Sequence, residues 1–447
     1  MRSDQQQAIN RLAGTSATAF LCAVLCVYPL YIDKFSNLGV TKFTGCFTLF
    51  LLFLLWLVAC TAIGARAPRP RNANAGRDVT LWGVLAFAGT SLISTFTSLS
   101  PTASTWGLGG YYGGLMLVLF TVAGYWAVRS YLDLENLDFV FWVLGITTSI
   151  VAVLYVLNIF NIDLIGAYAD TAVVERAQFF STLGQKDFNG CFFSVALPIV
   201  FYQFLNAKDT RTAVWTGIPA AFGALALAVV DSEALALGIG AAVMVLVCHK
   251  NFTTRHLRRA ALISAAFFGW AAWMHYMRAS VYTQGGTALL AKLGAWQVAL
   301  PCMAASLLLW LVLFVLARKG IAAQAPLYLP GRVITIAVLA VGALAFVLAN
   351  AMPNLPLPES LHNLLVFNDD WGTYRGVAWR AAFGTWADGS LLRKIVGIGP
   401  GMMHTAVAAW AGGAMTARMA TFYAAHNEYL EQLLTTGILG LAAWLLL

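Results

Sequence analysis

Charge is scarce in this chain: only 10% of its 447 residues are Asp, Glu, Lys or Arg, against 60% that are hydrophobic. A water-soluble protein of that balance has too little polar surface to stay dispersed. Several chemistries are missing as well. There is no GxxxxGK[ST], no GxGxxG after a strand and no HExxH, which excludes P-loop, dinucleotide-binding and zincin-type readings. No CxxC occurs, and all seven cysteines (Cys22, Cys26, Cys46, Cys60, Cys191, Cys248, Cys302) fall in or at the end of apolar stretches. A disulfide framework or zinc site would need them paired in polar loops, so they read as small buried apolar residues. No internal repeat is evident.

What is present is apolar sequence in long runs, with a mean hydropathy of +0.75. Twelve stretches cover roughly 12–32, 43–64, 79–98, 114–129, 138–159, 189–206, 213–230, 234–248, 260–277, 295–317, 333–352 and 431–447. A helix needs about 20 predominantly apolar residues to cross a bilayer. In hydrocarbon the backbone must satisfy its own hydrogen bonds, so helices are the expectation. The fold class is therefore an all-α integral membrane protein with about 12 transmembrane helices. It divides into a bundle over 1–352, a large extracytoplasmic loop over 353–427 and a last helix over 428–447. That last stretch runs out on Leu445–Leu447 without a polar flank, so it is either a short final helix or the edge of a longer chain. Met1–Arg11 is polar and mildly basic, and the apolar run after it is long enough to stay as a first span, not a cleaved signal.

The net charge of +8 could suggest a polyanion, but its distribution points elsewhere. Basic residues gather in alternate gaps: Arg2 and Arg11, then Arg66, Arg69, Arg71 and Arg77, then Arg129, then Lys208 and Arg211. Lys250, Arg255, Arg258 and Arg259, and then Arg318, Lys319 and Arg332, keep the same parity. That is the positive-inside pattern, which puts the N-terminus in the cytoplasm and names the lipid bilayer, with no nucleic acid, as the partner.

The regular spacing fails once, over 353–427, which parity places outside the cytoplasm. Loops longer than about 15 residues are uncommon and usually functional. After Pro353, Pro356 and Pro358 the pattern of Arg375, Trp379, Ala382, Phe383 and Trp386 predicts an amphipathic helix ended by Gly389. A turn with Gly397, Gly399, Pro400 and Gly401 follows, and the whole reads as a folded lid. A second outside loop, 158–188, carries Asp163, Asp170, Glu175, Arg176, Lys186 and Asp187.

Chemistry is concentrated at the outer face. Asn427 suits the N-cap of the last helix, with Glu428 and Glu431 near its positive end. His426 just before it could exchange a proton near neutral pH, or could be an interfacial histidine held by a backbone carbonyl. Arg375 and Arg380 match phosphate oxygens in geometry, although arginines on an amphipathic helix also snorkel to headgroups. Gly397, Gly399 and Gly401 could offer amides to an anion; a sharp turn is the preferred reading. Asp231 and Glu233 either line a cavity or tip a solvated hairpin. The glycine-rich segment Trp106–Gly114 reads as a flexible re-entry into the membrane.

Taken in order, these segments resemble the bacterial O-antigen ligase and polysaccharide polymerase superfamily. His426-Asn427, nine residues, Gly437, two residues and Gly440 is similar to the ligases' histidine motif. Arg375-Gly-Val-Ala-Trp379 with Val396–Gly401 resembles the family's Arg-x-x-x-Trp helix and glycine turn, and Ser181–Asn189 leading to Pro198 resembles a third segment. Trp106–Gly107 with Gly113, Gly114 and Leu115 resembles a fourth. The resemblance implies a GT-C-like membrane glycosyltransferase of the bacterial plasma membrane. Its donor would be an undecaprenyl-diphosphate-linked glycan and its acceptor a hydroxyl of a glycan, lipid or protein, with no cofactor. By the same resemblance His426 is catalytic, as general base or stabiliser of the leaving diphosphate, and Arg375, Arg380 and Arg176 hold diphosphate oxygens. One position departs: Ser232-Glu233 with Leu237 puts a glutamate where the family has an arginine. Either Arg176, Arg380 or Lys186 supplies that charge, or the register differs, or the activity has changed or been lost. A small-solute transporter is the alternative class, although the ionisable groups sit at span ends and not at the midplane that transporters use.

Overall fold

A computed structural model describes residues 2–65, 79–108, 110–281, 288–321, 324–352, 355–412 and 419–447. Arg66, Arg69, Arg71, Arg77, Gly109 and Pro353, all used in the sequence reading, lie outside the described residues. The chain is all-helical, with no strands among the described residues. Among the described residues eight helices are long and apolar enough to cross a membrane: Asp4–Leu30, Phe35–Ala62, Val79–Phe96, Leu137–Ile159, Lys186–Asn206, Thr210–Val229, Trp296–Arg318 and Tyr328–Ala351. Leu115–Tyr131 and Glu233–Cys248 are apolar but shorter. Thr254–Ser280 has the length, yet carries Arg255, Arg258, Arg259 and Arg278 within it.

The outer surface of these helices is the argument for a bilayer. Only 6% of the apolar window in Trp296–Arg318 is buried by protein, and Leu308, Leu311 and Val312 point outward. Apolar area of that extent in water would mark an interaction surface or an aggregation site. The chain is a membrane protein.

The contacts divide the chain into two compact units. One comprises Gly14–Phe53 and Leu132–Val338. Its core is built from Val151, Tyr155, Phe193, Leu197, Leu225, Val229 and Met274. Small residues let its helices approach: a Cβ on Gly238 would lie 2.6 Å from Ser194 Cβ. The carbonyls ending the helix Lys186–Asn206 receive Arg259 Nη1, which donates to Phe204, Leu205 and Ala207 at 3.0, 2.9 and 2.7 Å. Cations at a helix C-terminus complement its dipole. The Ser181–Asn189 segment is likewise a clamp: Ser181 Oγ donates to Asn189 Oδ1 at 2.6 Å, and Asn189 Nδ2 donates to Phe180, Gly184 and Gln185 carbonyls.

The other unit comprises Met1–Ala13, Leu54–Tyr131 and Leu339–Leu447. The segment expected to form a lid folds here as Glu359–Leu365, Trp371–Ala387, Leu391–Val396 and Met403–Ala411. Gly372, Thr373 and Tyr374 all have left-handed backbone, so the regular part of the amphipathic helix begins at Arg375. Its buried face, Ala381 and Ala382, packs with Met402, Met403, Val407, Ala425 and Leu434 in one apolar core. The stretch 431–447 is not a single helix. It is Glu428–Thr435 followed by Gly437–Leu445, broken at Gly437, whose φ is +71°.

Candidate functional site

Two glycine turns and the helix break interlock within this second unit. Gly397, Gly399 and Gly401 have φ of 83°, 103° and 70°. L-residues with side chains rarely adopt that region. A Cβ on Gly397 would stand 2.2 Å from the Thr435 carbonyl oxygen, and one on Gly399 2.4 Å from Ser104 Oγ. Gly437 completes the contact, since its Cβ would be 2.3 Å from the Ile395 carbonyl oxygen. Hydrogen bonds follow the same seam. Gly399 N donates to Thr435 O at 2.9 Å and to Ser94 Oγ at 2.8 Å, while Ser94 Oγ itself donates to Thr435 O. Ile398 N donates to Thr435 O at 3.1 Å and Gly397 N to Arg393 O at 2.8 Å. The amides of 397–399 are engaged inside the protein, which agrees with a close-packed turn and leaves them turned away from any anion. The Trp106–Gly114 segment closes on itself: a Cβ on Gly114 would meet Gly107 N at 2.4 Å.

The turn before the final helices is as constrained. Asn427 caps Glu428–Thr435, its side-chain oxygen accepting from Tyr429 N at 3.1 Å and Leu430 N at 3.3 Å. This is the N-cap the sequence predicts. Ala425 is fully buried in the apolar core, and between them His426 adopts a left-handed φ of 49°. The His426 ring is exposed and meets the edge of Phe422 at 5.5 Å between centroids. A non-glycine residue held in that region stores local strain.

Beside these parts lies a half-open cavity of about 680 Å³. Val84, Phe87, Leu117, Val118 and Val122 give it apolar walls; Glu428, Glu431 and Gln432 give it a polar one. Gly113, Gly114, Pro400 and Gly401 form part of the lining, as do Tyr111 and Tyr423, whose rings stack at 5.1 Å. Tyr423 also stacks on His404 at 4.4 Å, and His404 Nδ1 lies 3.0 Å from the Phe422 carbonyl oxygen. Glu431 Oε2 accepts the Ala425 N–H at 2.7 Å.

The residues expected to act fall in different places. His426, Arg375 and Arg380 belong to the unit that holds the cavity, and none of the three lines it. Arg375 is half-buried at the start of its regular helix, its aliphatic stem beside Gly372. Arg380 is exposed and forms an ion pair with Asp369. Arg176 is in the first-described unit, on the short helix Val173–Gln178, stacked over Tyr168 at 5.3 Å. Glu233 is exposed in the first turn of Glu233–Cys248. Nearby, Lys186 Nζ lies 3.9 Å from Asp231, and Ser232 Oγ donates to Asp187 at 3.1 Å. In the sequence Glu428 and Glu431 stand out only as helix-terminal charges. Their place in a cavity was legible in the spacing, because Glu428, Glu431, Gln432 and Thr435 fall at i, i+3, i+4 and i+7 and make one polar stripe.

No model of a known protein family, no curated protein and no solved structure matches this chain.

Proposed function

We propose that this protein is a membrane glycosyltransferase of the O-antigen ligase and polymerase kind, moving an undecaprenyl-diphosphate-linked glycan to an acceptor hydroxyl at the outer face. The observation that supports the reading is the interlocking of its motif segments. Trp106–Gly114, Val396–Gly401 and the His426–Gly440 stretch are distant in sequence, yet their glycines close on one another around one cavity. Convergence of that kind is what a shared site requires.

On this reading His426 takes the acceptor hydroxyl's proton as the new C–O bond forms at the anomeric carbon. The anomeric carbon's bond to the diphosphate oxygen breaks, and its electron pair leaves with the lipid diphosphate. Arg375 offsets the charge that grows there. The left-handed backbone at His426 fits a residue whose position matters more than its local comfort. A twelve-crossing GT-C-like topology with a cytoplasmic N-terminus belongs to the same proposal.

In cells, His426→Ala is expected to abolish surface-glycan transfer while the protein stays inserted and abundant. Normal glycan length and attachment in that variant would refute the assignment.

A further inference from the structure

The chemistry of the cavity wall narrows what can enter it. Among the described residues that line it there is no Lys or Arg, whereas Glu428 and Glu431 both do. The neutral groups are abundant: Gln432, Thr80, Thr121, Thr435 and Thr436 also face it. Gln432 is held in place on two sides, donating to Glu428 Oε1 at 2.6 Å and accepting from Thr436 Oγ1 at 3.2 Å. Glu431 has one oxygen on Ala425 N, and a carboxylate has about four acceptor positions, so it retains capacity for hydroxyl donors. Tyr111, backed by the stacked ring of Tyr423, offers aromatic carbon to a ring face.

Resting on the transferase reading and extending it, we propose that this cavity binds the neutral, hydroxyl-bearing sugar head of an amphiphile and excludes phosphate. Glu428, Glu431 and Gln432 take the head's hydroxyls, Tyr111, backed by Tyr423, meets one face of its ring, and the walls at Leu117 and Val122 take its chain. Among the described lining residues a phosphate would face two carboxylates and no cation, so on this proposal the diphosphate of a lipid-linked donor is held outside this pocket. A volume of about 680 Å³ suits a head group of one or two sugar rings with part of a chain.

The test uses the full chain in lipid nanodiscs with a photoactivatable dodecyl maltoside, and maps cross-linked peptides by mass spectrometry. Cross-links are expected on 108–125 and 423–447. Unlabelled dodecyl maltoside should displace the probe at least about tenfold better than dodecyl phosphate or dodecylamine. Glu431→Gln should weaken labelling, and Leu117→Trp, which fills the cavity from a different helix, should abolish it. Labelling elsewhere only, no labelling, or displacement by the phosphate or the amine as strong as by the maltoside would overturn the proposal. So would full labelling of Leu117→Trp. If labelling behaves as expected while His426→Ala still transfers glycan, the transferase reading fails and the sugar site stands. If labelling fails while His426→Ala abolishes transfer, the reverse holds.

Discussion

Glu431 and Ala425 are joined by a hydrogen bond of 2.7 Å from the Ala425 amide to the Glu431 carboxylate. It ties the residue immediately before His426 to the polar wall of the cavity. The turn bearing the imidazole is thus fixed at one end by the Asn427 cap and at the other by this bond.

Removing the cap should act locally. Asn427→Ala leaves Tyr429 and Leu430 without their side-chain acceptor, at a cost of about 1 kcal/mol. Hydrogen exchange should accelerate in 428–435 and stay unaltered in Val79–Phe96.

The glycine seam gives a sharper contrast. Gly397→Ala forces a Cβ to 2.2 Å from the Thr435 carbonyl oxygen at a φ of 83°. Strain and overpacking together should cost about 3 kcal/mol or more. Gly89→Ala, inside the helix Val79–Phe96, meets nothing within 4 Å and should leave stability unchanged or raise it by up to about 1 kcal/mol in the same unfolding assay.

The two arginines of the amphipathic helix should separate. Arg380 is exposed and paired with Asp369, so Arg380→Ala should change stability by no more than about 1 kcal/mol and leave most transfer intact. Arg375→Ala should lower transfer by about tenfold or more, as loss of a charge acting on the leaving diphosphate would. Equal effects of the two variants would remove the distinction.

The sequence makes the helical, membrane-embedded character legible because long apolar runs leave few alternatives. The Asn427 cap, too, follows from residue type and position. The break at Gly437 is not legible, since it depends on backbone neighbours that only folding supplies, Ile395 and Gly397; nor is the left-handed run at Gly372–Tyr374, because Thr373 and Tyr374 are not residue types that favour that conformation. Glu431 reads by position as a helix-end charge, and the polar stripe it shares with Glu428, Gln432 and Thr435 is legible in the spacing. The packing of its helix against Trp371–Ala387, Leu391–Val396, Met403–Ala411 and Gly437–Leu445 is not, because hydropathy does not encode which elements meet.

The most direct measurement is release of undecaprenyl diphosphate by the purified chain in lipid vesicles supplied with a lipid-linked glycan and an acceptor glycan. The account predicts release with the wild type and loss of it with His426→Ala at equal reconstitution. Release that is absent from the wild type under these conditions, or undiminished in His426→Ala, would contradict it.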